Sequence, residues 1–385
     1  MHDPYRSLRV FTRRLFLLSV AAIPITGCGQ LNTPKEGRMI GHVVPLSGGN
    51  QEAGRRLVDA VAIAVEEENQ NENDLPGRRP YTIVHGDTGD TIDGFRFQTV
   101  RLIDVNRASA IVGATTTEQL DRTIAGLSSH QLVVVSPAGG PTPSKNVFTV
   151  GLAPSEQGRC LARHMLDDTK CRHIVVATSL SLARHRIVST AFEQELTKDD
   201  RARLETMTFL KAEEIPNLAR RIAAIKPETV LISGTAQDFL AWQSALESPA
   251  MPSRLWIFAG EEGQTDLLRS SEKVRPFLAA RAFDATDSTA KKFTDRYSEL
   301  NRSVPSPEAA LSYDAARIFF AAARSAKEFQ ASKIQAKLND LTDLACVTGS
   351  FWFADDRTAR RPVFITKISL NKSVTIRRFE TPSKP

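Results

Sequence analysis

The chain has 385 residues, enough for a large buried core and more in keeping with two domains than one. Its formal charge is +6, but Arg6, Arg9, Arg13 and Arg14 against Asp3 lie ahead of Cys28, and the remainder carries 46 basic and 43 acidic residues. No Lys/Arg block with interleaved aromatics follows, so a nucleic-acid partner is excluded from the reading.

In chain order, Arg13-Arg14 precedes an apolar run over 15–25 and then Thr26-Gly27-Cys28. A basic start, a short apolar stretch and small residues at a cleavage point predict a signal peptide over 1–27, too short for a transmembrane helix. Ile25-Thr26-Gly27-Cys28 resembles a bacterial lipobox, which predicts lipidation of Cys28; the alternative is an ordinary small residue in a leader cleaved elsewhere. Residues 12–18 resemble a twin-arginine export motif. The polar stretch 28–37 reads as a tether.

From there strands and helices alternate. Strands are expected at 39–44, 81–84, 110–112, 132–135 and 147–151, with helices at 57–68 and 95–105 and a helical stretch between 112 and 132. The second half repeats the pattern, with strands at 173–178, 206–210, 229–233 and 255–258 and helices at 157–166, 187–196, 218–225 and from 239. A connecting strand is expected at 279–283, helices at 290–300, 307–325 and 331–338, and a strand-like tail over 349–379. Alternation throughout predicts two open α/β domains.

The stretch 110–141 has a repeated form. Two β-branched runs each break into small polar residues and glycine, as buried parallel strands of a βαβ unit do. Ligands of open α/β sheets sit beyond the carboxyl ends of the strands. Thr115, Thr116 and Thr117, and the loop from Ser136 to Gly140, fall there and suit a small polar ligand, particularly an anionic group. Alternatively, Thr117 caps the next helix and the glycines make a turn.

Other chemistry is sparse. The spacing from Gly49 to Arg56 is that of a P-loop, but Arg55-Arg56 replaces the lysine and the magnesium-binding hydroxyl. No nucleophile elbow, His-Glu-x-x-His or Cys-x-x-Cys occurs, so neither a metal nor a cofactor is expected. His164, His173 and His185 are expected on different faces in structural or solvated roles. Asp87, at a strand end, binds a ligand amine or caps the next segment; Glu261 and Glu262, on a glycine-flanked loop, pair with a cation or are solvated. Cys160, Cys171 and Cys346 are expected as buried thiols.

Several pieces in order resemble one family. They are the residues Ile40-Gly41-His42-Val43-Val44-Pro45-Leu46-Ser47-Gly48, a helix through Ala60–Glu67, Ile111-Val112-Gly113, Val135-Ser136-Pro137-Ala138 and Val150-Gly151 with Gln157-Gly158-Arg159. Residues 309–317 and 347–353 complete the set. From about Met39 onward the chain resembles type I periplasmic binding proteins, in particular the branched-chain amino-acid receptors of ABC transporters.

The resemblance implies a two-lobed α/β fold with a three-crossover hinge, lobe one being 38–153 and 282–361 and lobe two 154–281 and 362–385. A ligand binds between the lobes and closes them, the hinge closure for which periplasmic binding proteins are a standing example. The family's carboxylate-holding hydroxyl falls on Thr117 with Thr116 beside it, its next loop on Ala138, Gly139 and Gly140, and its ammonium-binding acid on Glu262. The loop threonine is absent, with Thr142 nearby, and two family tyrosines are Ala53 and a position near Ala183, where 182–186 is basic. Arg184 and Arg186 favour a larger or more acidic ligand than leucine. The implied role is non-enzymatic: an exported, lipid-anchored receptor that delivers a small amino-acid-like ligand to an ABC permease. A sensory receptor of the same fold is the alternative, and an enzyme on this scaffold has the least support.

Overall fold

The computed structural model describes residues 38–72, 80–89, 91–127, 132–247, 256–260, 275–342, 344–370, 372–381, 383 and 384. The expected signal peptide, lipidation site Cys28 and tether lie outside the described residues, as do Glu261 and Glu262.

Five strands, β1 (Arg38–Val44), β2 (Tyr81–Asp87), β3 (Ala110–Gly113), β4 (Val133–Ser136) and β5 (Val147–Thr149), form a parallel sheet in the order β2-β1-β3-β4-β5. The helices α1 (Gln51–Glu72), α2 (Ile92–Asp104) and α3 (Thr117–Leu127) connect β1 to β4. Alternation along each strand divides the apolar side chains between two layers. Ile40, Val44, Val112 and Val135 face a core with Val61 and Ala64 of α1; Val43, Ile111 and Val134 face Phe95 and Leu102 of α2 and Leu120 of α3. Burial on both faces explains why these strands read as unbroken apolar runs.

The chain then builds a second sheet from β6 (His173–Ser179), β7 (Arg203–Phe209), β8 (Thr229–Ser233), β9 (Trp256–Ala259) and β10 (Phe277–Arg281). Its helices are α4 (Pro154–His164), α5 (Ala183–Leu196), α6 (Ile215–Ile225) and α7 (Ala236–Ala245). From β10 the chain returns to the first sheet as α8 (Lys291–Asn301), α9 (Pro307–Ala326) and α10 (Ala331–Asp340), followed by the short antiparallel pair β11 (Trp352–Phe353) and β12 (Ala359–Arg360). It re-enters the second sheet as β13 (Val363–Ser369) and β14 (Lys372–Phe379). The seven strands run β14-β13-β10-β9-β8-β6-β7, with β13 antiparallel to both neighbours.

The chain thus passes between the sheets three times, after β5, after β10 and after β12. The 279–283 segment is more than a connection: β10 pairs with β9 on one side and β13 on the other. Buried Leu152, Ala282 and Phe283 make the core continuous through the crossovers. Asp314 of α9, fully buried, accepts the N–H groups of Val347 and Thr348 at 3.0 Å each and so clips the chain ahead of β11 to that helix. Cys160, Cys171 and Cys346 are buried thiols.

Beneath α1, His42 and His85 stand opposite each other on β1 and β2, with Nδ1 atoms 3.0 Å apart. A hydrogen bond there requires one ring to donate and the other to accept, so the accepting ring is neutral. Burial, with His85 adding to it, lowers the His42 pKa to about 3.

Candidate functional site

The carboxyl ends of the two sheets supply two walls. On the first, β3 runs into Ala114, buried and held in the left-handed region at φ +60°. For a residue with a Cβ that costs on the order of 1 kcal/mol, and it persists only where its surroundings fix it. Here the Ser136 hydroxyl, at the end of β4, donates to the Ala114 carbonyl at 2.6 Å. The same oxygen accepts the Ala138 N–H at 3.1 Å. One buried hydroxyl therefore joins the two loops.

The threonines divide their work. Thr116 Oγ1 accepts the Gln119 N–H at 3.3 Å and caps α3, the role that the local reading offered to Thr117. Thr117 instead donates its hydroxyl to the Gly139 carbonyl at 2.8 Å. Thr149 donates to the Gly140 carbonyl at 2.8 Å, and the Gly151 N–H reaches the Ala138 carbonyl at 2.9 Å. Gly139 lies against the first crossover: a Cβ there would fall 2.0 Å from the Leu152 carbonyl oxygen. Thr116, Thr117, Ala138, Gly139 and Gly140 are thus brought into one cluster whose hydrogen bonds run mainly within it. Ala138 is buried with both its main-chain groups engaged. Thr142 is half-buried beyond the loop, and Ala53 is exposed on the first turn of α1.

Asp87 braces the neighbouring loop. Its Oδ1 accepts from the N–H groups of Leu46 at 2.8 Å, Ser47 at 3.1 Å and Gly89 at 2.9 Å. Those bonds, with Gly89's foremost, hold its carboxyl below the usual range. The segment resembling a P-loop starts α1, and Gly54 is seated where a Cβ would come 1.6 Å from the Pro45 carbonyl oxygen. Close packing, not phosphate, accounts for that glycine.

The second wall begins where β6 ends. Leu182 precedes α5 without a side-chain cap. Arg184, in the first helical turn, points across to the first wall: its Nη1 lies 3.8 Å from Oε2 of Glu118, in the first turn of α3. The Arg184 side chain is 15% exposed and that of Glu118 29%. Burial lowers the Arg184 pKa and Glu118 opposes it. Arg186 is exposed on α5 and Ala183 is exposed beside it. His185 is buried with neither ring nitrogen hydrogen-bonded among the described residues. Burial, then Arg184, lowers its pKa to about 4, with Asp238 opposing. The Ser233 hydroxyl, at the end of β8, donates to the His185 carbonyl at 2.8 Å. The other two histidines lie elsewhere, His164 against Asp168 at 2.7 Å and His173 near Glu205 at 3.5 Å.

Sequence reading found the loops and Arg184 but missed Glu118 and the double role of Ser136. A glutamate after three threonines looks like an ordinary first-turn acid, favoured by the helix dipole. Only the fold puts an arginine opposite it.

A family profile described as "Periplasmic binding protein" matches residues 39–373. A search of curated proteins finds no match. Among solved structures, a leucine-binding protein from Thermotoga maritima is similar with a TM-score of 0.76 at 18% identity, over 89% of this chain and 98% of that one. A branched-chain amino acid transporter substrate-binding protein from Streptococcus pneumoniae, in complex with isoleucine, gives 0.75 at 18% over 89% and 99%. A solute-binding protein of an ABC transporter from Rhodopseudomonas palustris, in complex with 3,4-dihydroxybenzoic acid, gives 0.74 at 14% over 91% and 99%. At these identities the likeness is one of fold.

Proposed function

This chain belongs to the periplasmic binding protein family, and we propose that it is an exported receptor that captures a small carboxylate-bearing solute between its lobes and presents it to an ABC permease. One observation carries the reading: the strand-end loops of the two sheets approach each other, hydroxyl and main-chain groups on one wall and a largely buried arginine on the other. A guanidinium with little water around it pairs strongly with a carboxylate, by two parallel hydrogen bonds. Isoleucine and 3,4-dihydroxybenzoic acid, bound by two proteins of this fold, share that group.

In this proposal Thr116, Thr117, Gly139 and Gly140 line lobe one over the buried Ala138, Arg184 takes the acid, and Glu262 receives an ammonium or other donor. Thr117 already gives its proton to Gly139, so it offers lone pairs to the ligand unless that bond opens. Lobe one comprises 38–153 and 282–361, and lobe two 154–281 and 362–385. A ligand touching both lobes shifts their equilibrium toward closure, with no covalent step. Residues 1–27 direct export and Cys28 anchors the protein to a membrane outside the cytoplasm.

A thermal-shift screen against amino acids, aromatic acids, dicarboxylates, amides and ureas tests the reading. A ligand of the folded state adds about 2.7 kcal/mol at a hundredfold excess over its Kd. We expect a saturable carboxylate hit that Arg184→Ala and Thr117→Ala weaken. Binding confined to uncharged amides and ureas overturns the proposal.

A further inference from the structure

Where α1, α8 and α9 meet, they border a cavity of about 190 Å³. We propose that it binds a small zwitterion of the α-amino-acid class, its ammonium on Glu67 and Glu68 and its carboxylate on Arg317. The site is apart from the cleft. α1 leaves the carboxyl end of β1, and Glu67 and Glu68 lie about 25 Å along its axis from Gln51, toward the end where β2 begins. The proposal therefore does not depend on what the cleft binds.

Six charged side chains face the cavity: Glu67 and Glu68 from α1, Lys292 and Arg296 from α8, and Arg317 and Arg324 from α9. Several are matched. Arg324 pairs with Oε2 of Glu68, and Arg296 pairs with Glu66 beside the cavity at 2.6 Å. Tyr313 donates its hydroxyl to Glu67 Oε2 at 2.5 Å. Groups of opposite sign are left over. The Glu68 side chain is 6% exposed, and its Oε1 has no hydrogen-bond partner among the described residues. Around Oε1 of Glu67, Lys292 at 3.7 Å and Arg296 at 3.9 Å stand beyond hydrogen-bonding distance. Arg317 donates Nη1 to the Ala345 carbonyl at 3.0 Å, and its guanidinium carbon lies 5.5 Å from the centre of the Tyr313 ring. It enters no ion pair among the described residues. A buried carboxylate oxygen without a donor is costly, and the cavity is a side from which a donor can come.

The left-over groups define the chemistry. A simple anion satisfies Arg317 but brings negative charge beside Glu67 and leaves Glu68 Oε1 without a donor. A simple cation satisfies the glutamates but stands among four guanidinium and ammonium groups. A molecule with an ammonium and a carboxylate on one carbon satisfies both signs through charge-assisted hydrogen bonds. Size narrows the class. Pockets for drug-sized ligands span about 300–1,000 Å³, so this one suits a small solute. Its lining is charged or amide apart from Ala64 and Leu344, which fits glycine, alanine or serine better than a long apolar side chain.

The test records arginine Nε–Hε NMR spectra of the full chain, the Arg317 signal being the one lost in Arg317→Gln. Glycine is compared with glycinamide, which keeps only the ammonium, and with acetate, which keeps only the acid. We expect glycine to shift the Arg317 signal saturably and to bind about tenfold more tightly than either half, as one more hydrogen bond to a charged group allows. Glu68→Gln should weaken glycine about tenfold, and Arg184→Ala, in the cleft, should leave the Arg317 shift unchanged. No saturable shift with glycine, alanine or serine overturns the site. Acetate or glycinamide binding as tightly as glycine overturns the zwitterion, leaving a plain anion or cation site. A shift lost in Arg184→Ala overturns the proposal too, because the signal then originates in the cleft. If Glu68→Gln fails to fold, glycine against its two halves on the wild-type chain decides alone.

Discussion

The two walls of the cleft are built on opposite terms. On the first, a hydroxyl or main-chain group usually meets a partner in the same loop or in the adjoining crossover: Ser136 with Ala114 and Ala138, Thr117 with Gly139, Thr149 with Gly140. On the second, α5 starts without a side-chain cap, His185 has no hydrogen bond to its buried ring nitrogens among the described residues, and Arg184 stands 3.8 Å from Glu118 of the first wall. Satisfied polar clusters fix a shape. In the proposed reading the first wall sets geometry and the second supplies the charge, although the residues carried over by family resemblance lie mostly on the first.

The contrast predicts unequal responses to mutation. The largest effect should come from Gly139→Ala, because the new methyl meets the Leu152 carbonyl oxygen, part of a backbone that cannot rotate away. We expect a loss of about 3 kcal/mol, the upper end for overpacking, in chemical denaturation. A loss under about 1 kcal/mol would show the loop to be loose and the first wall adaptable. Ser136→Ala should follow at about 2 kcal/mol, since it strands a buried carbonyl and a buried N–H together. Thermal melts compared with those of Ser136→Thr check this, because threonine keeps the hydroxyl.

Fold and site differed in how far they could be read from the sequence. Paired runs such as 110–112 and 132–135 declared buried parallel strands, because period and flanking glycine are local properties. Boundaries were less legible. Residues 49–56 read as a failed P-loop with the helix expected from 57, yet α1 starts at Gln51, because the seat for Gly54 is made by Pro45 across the turn. Asp87 was placed at its strand end, but its bracing of Leu46 and Ser47 depends on β1 and β2 being neighbours. His42 and His85 were unremarkable 43 residues apart and meet only through register. The Glu118–Arg184 contact was invisible for the same reason: each residue is ordinary in its own turn, and the meaning lies in the relation between lobes.

Acid sharpens the comparison further. Burial lowers the pKa of His185 to about 4 on the second wall and of His42 to about 3 beneath the first. The unfolded chain takes up protons as the pH falls through about 6.5, while these folded rings stay neutral until far lower. Their burial costs no stability above that pH. Below it, each removes up to about 1.4 kcal/mol per pH unit, because the unfolded state binds more protons. Urea titrations at pH 7, 6 and 5 should show His185→Gln and His42→Gln each flattening the decline by about one group's share. His85 and His164, also lowered by burial, sustain the rest.

The smallest stability effect should fall on the residue expected to matter most for binding. Arg184→Gln removes a cation that stands 3.8 Å from Glu118 and whose burial is itself unfavourable. The substitution gives up Coulomb attraction but also relieves the cost of burying a guanidinium, so the net change should stay under about 1 kcal/mol. A loss of 3 kcal/mol or more in the same denaturation assay would place Arg184 in the structural framework and make the second wall as braced as the first. A small loss together with abolished acid binding would separate the two kinds of wall: one whose removal unfolds the lobe, and one whose removal leaves a folded protein without its recognition.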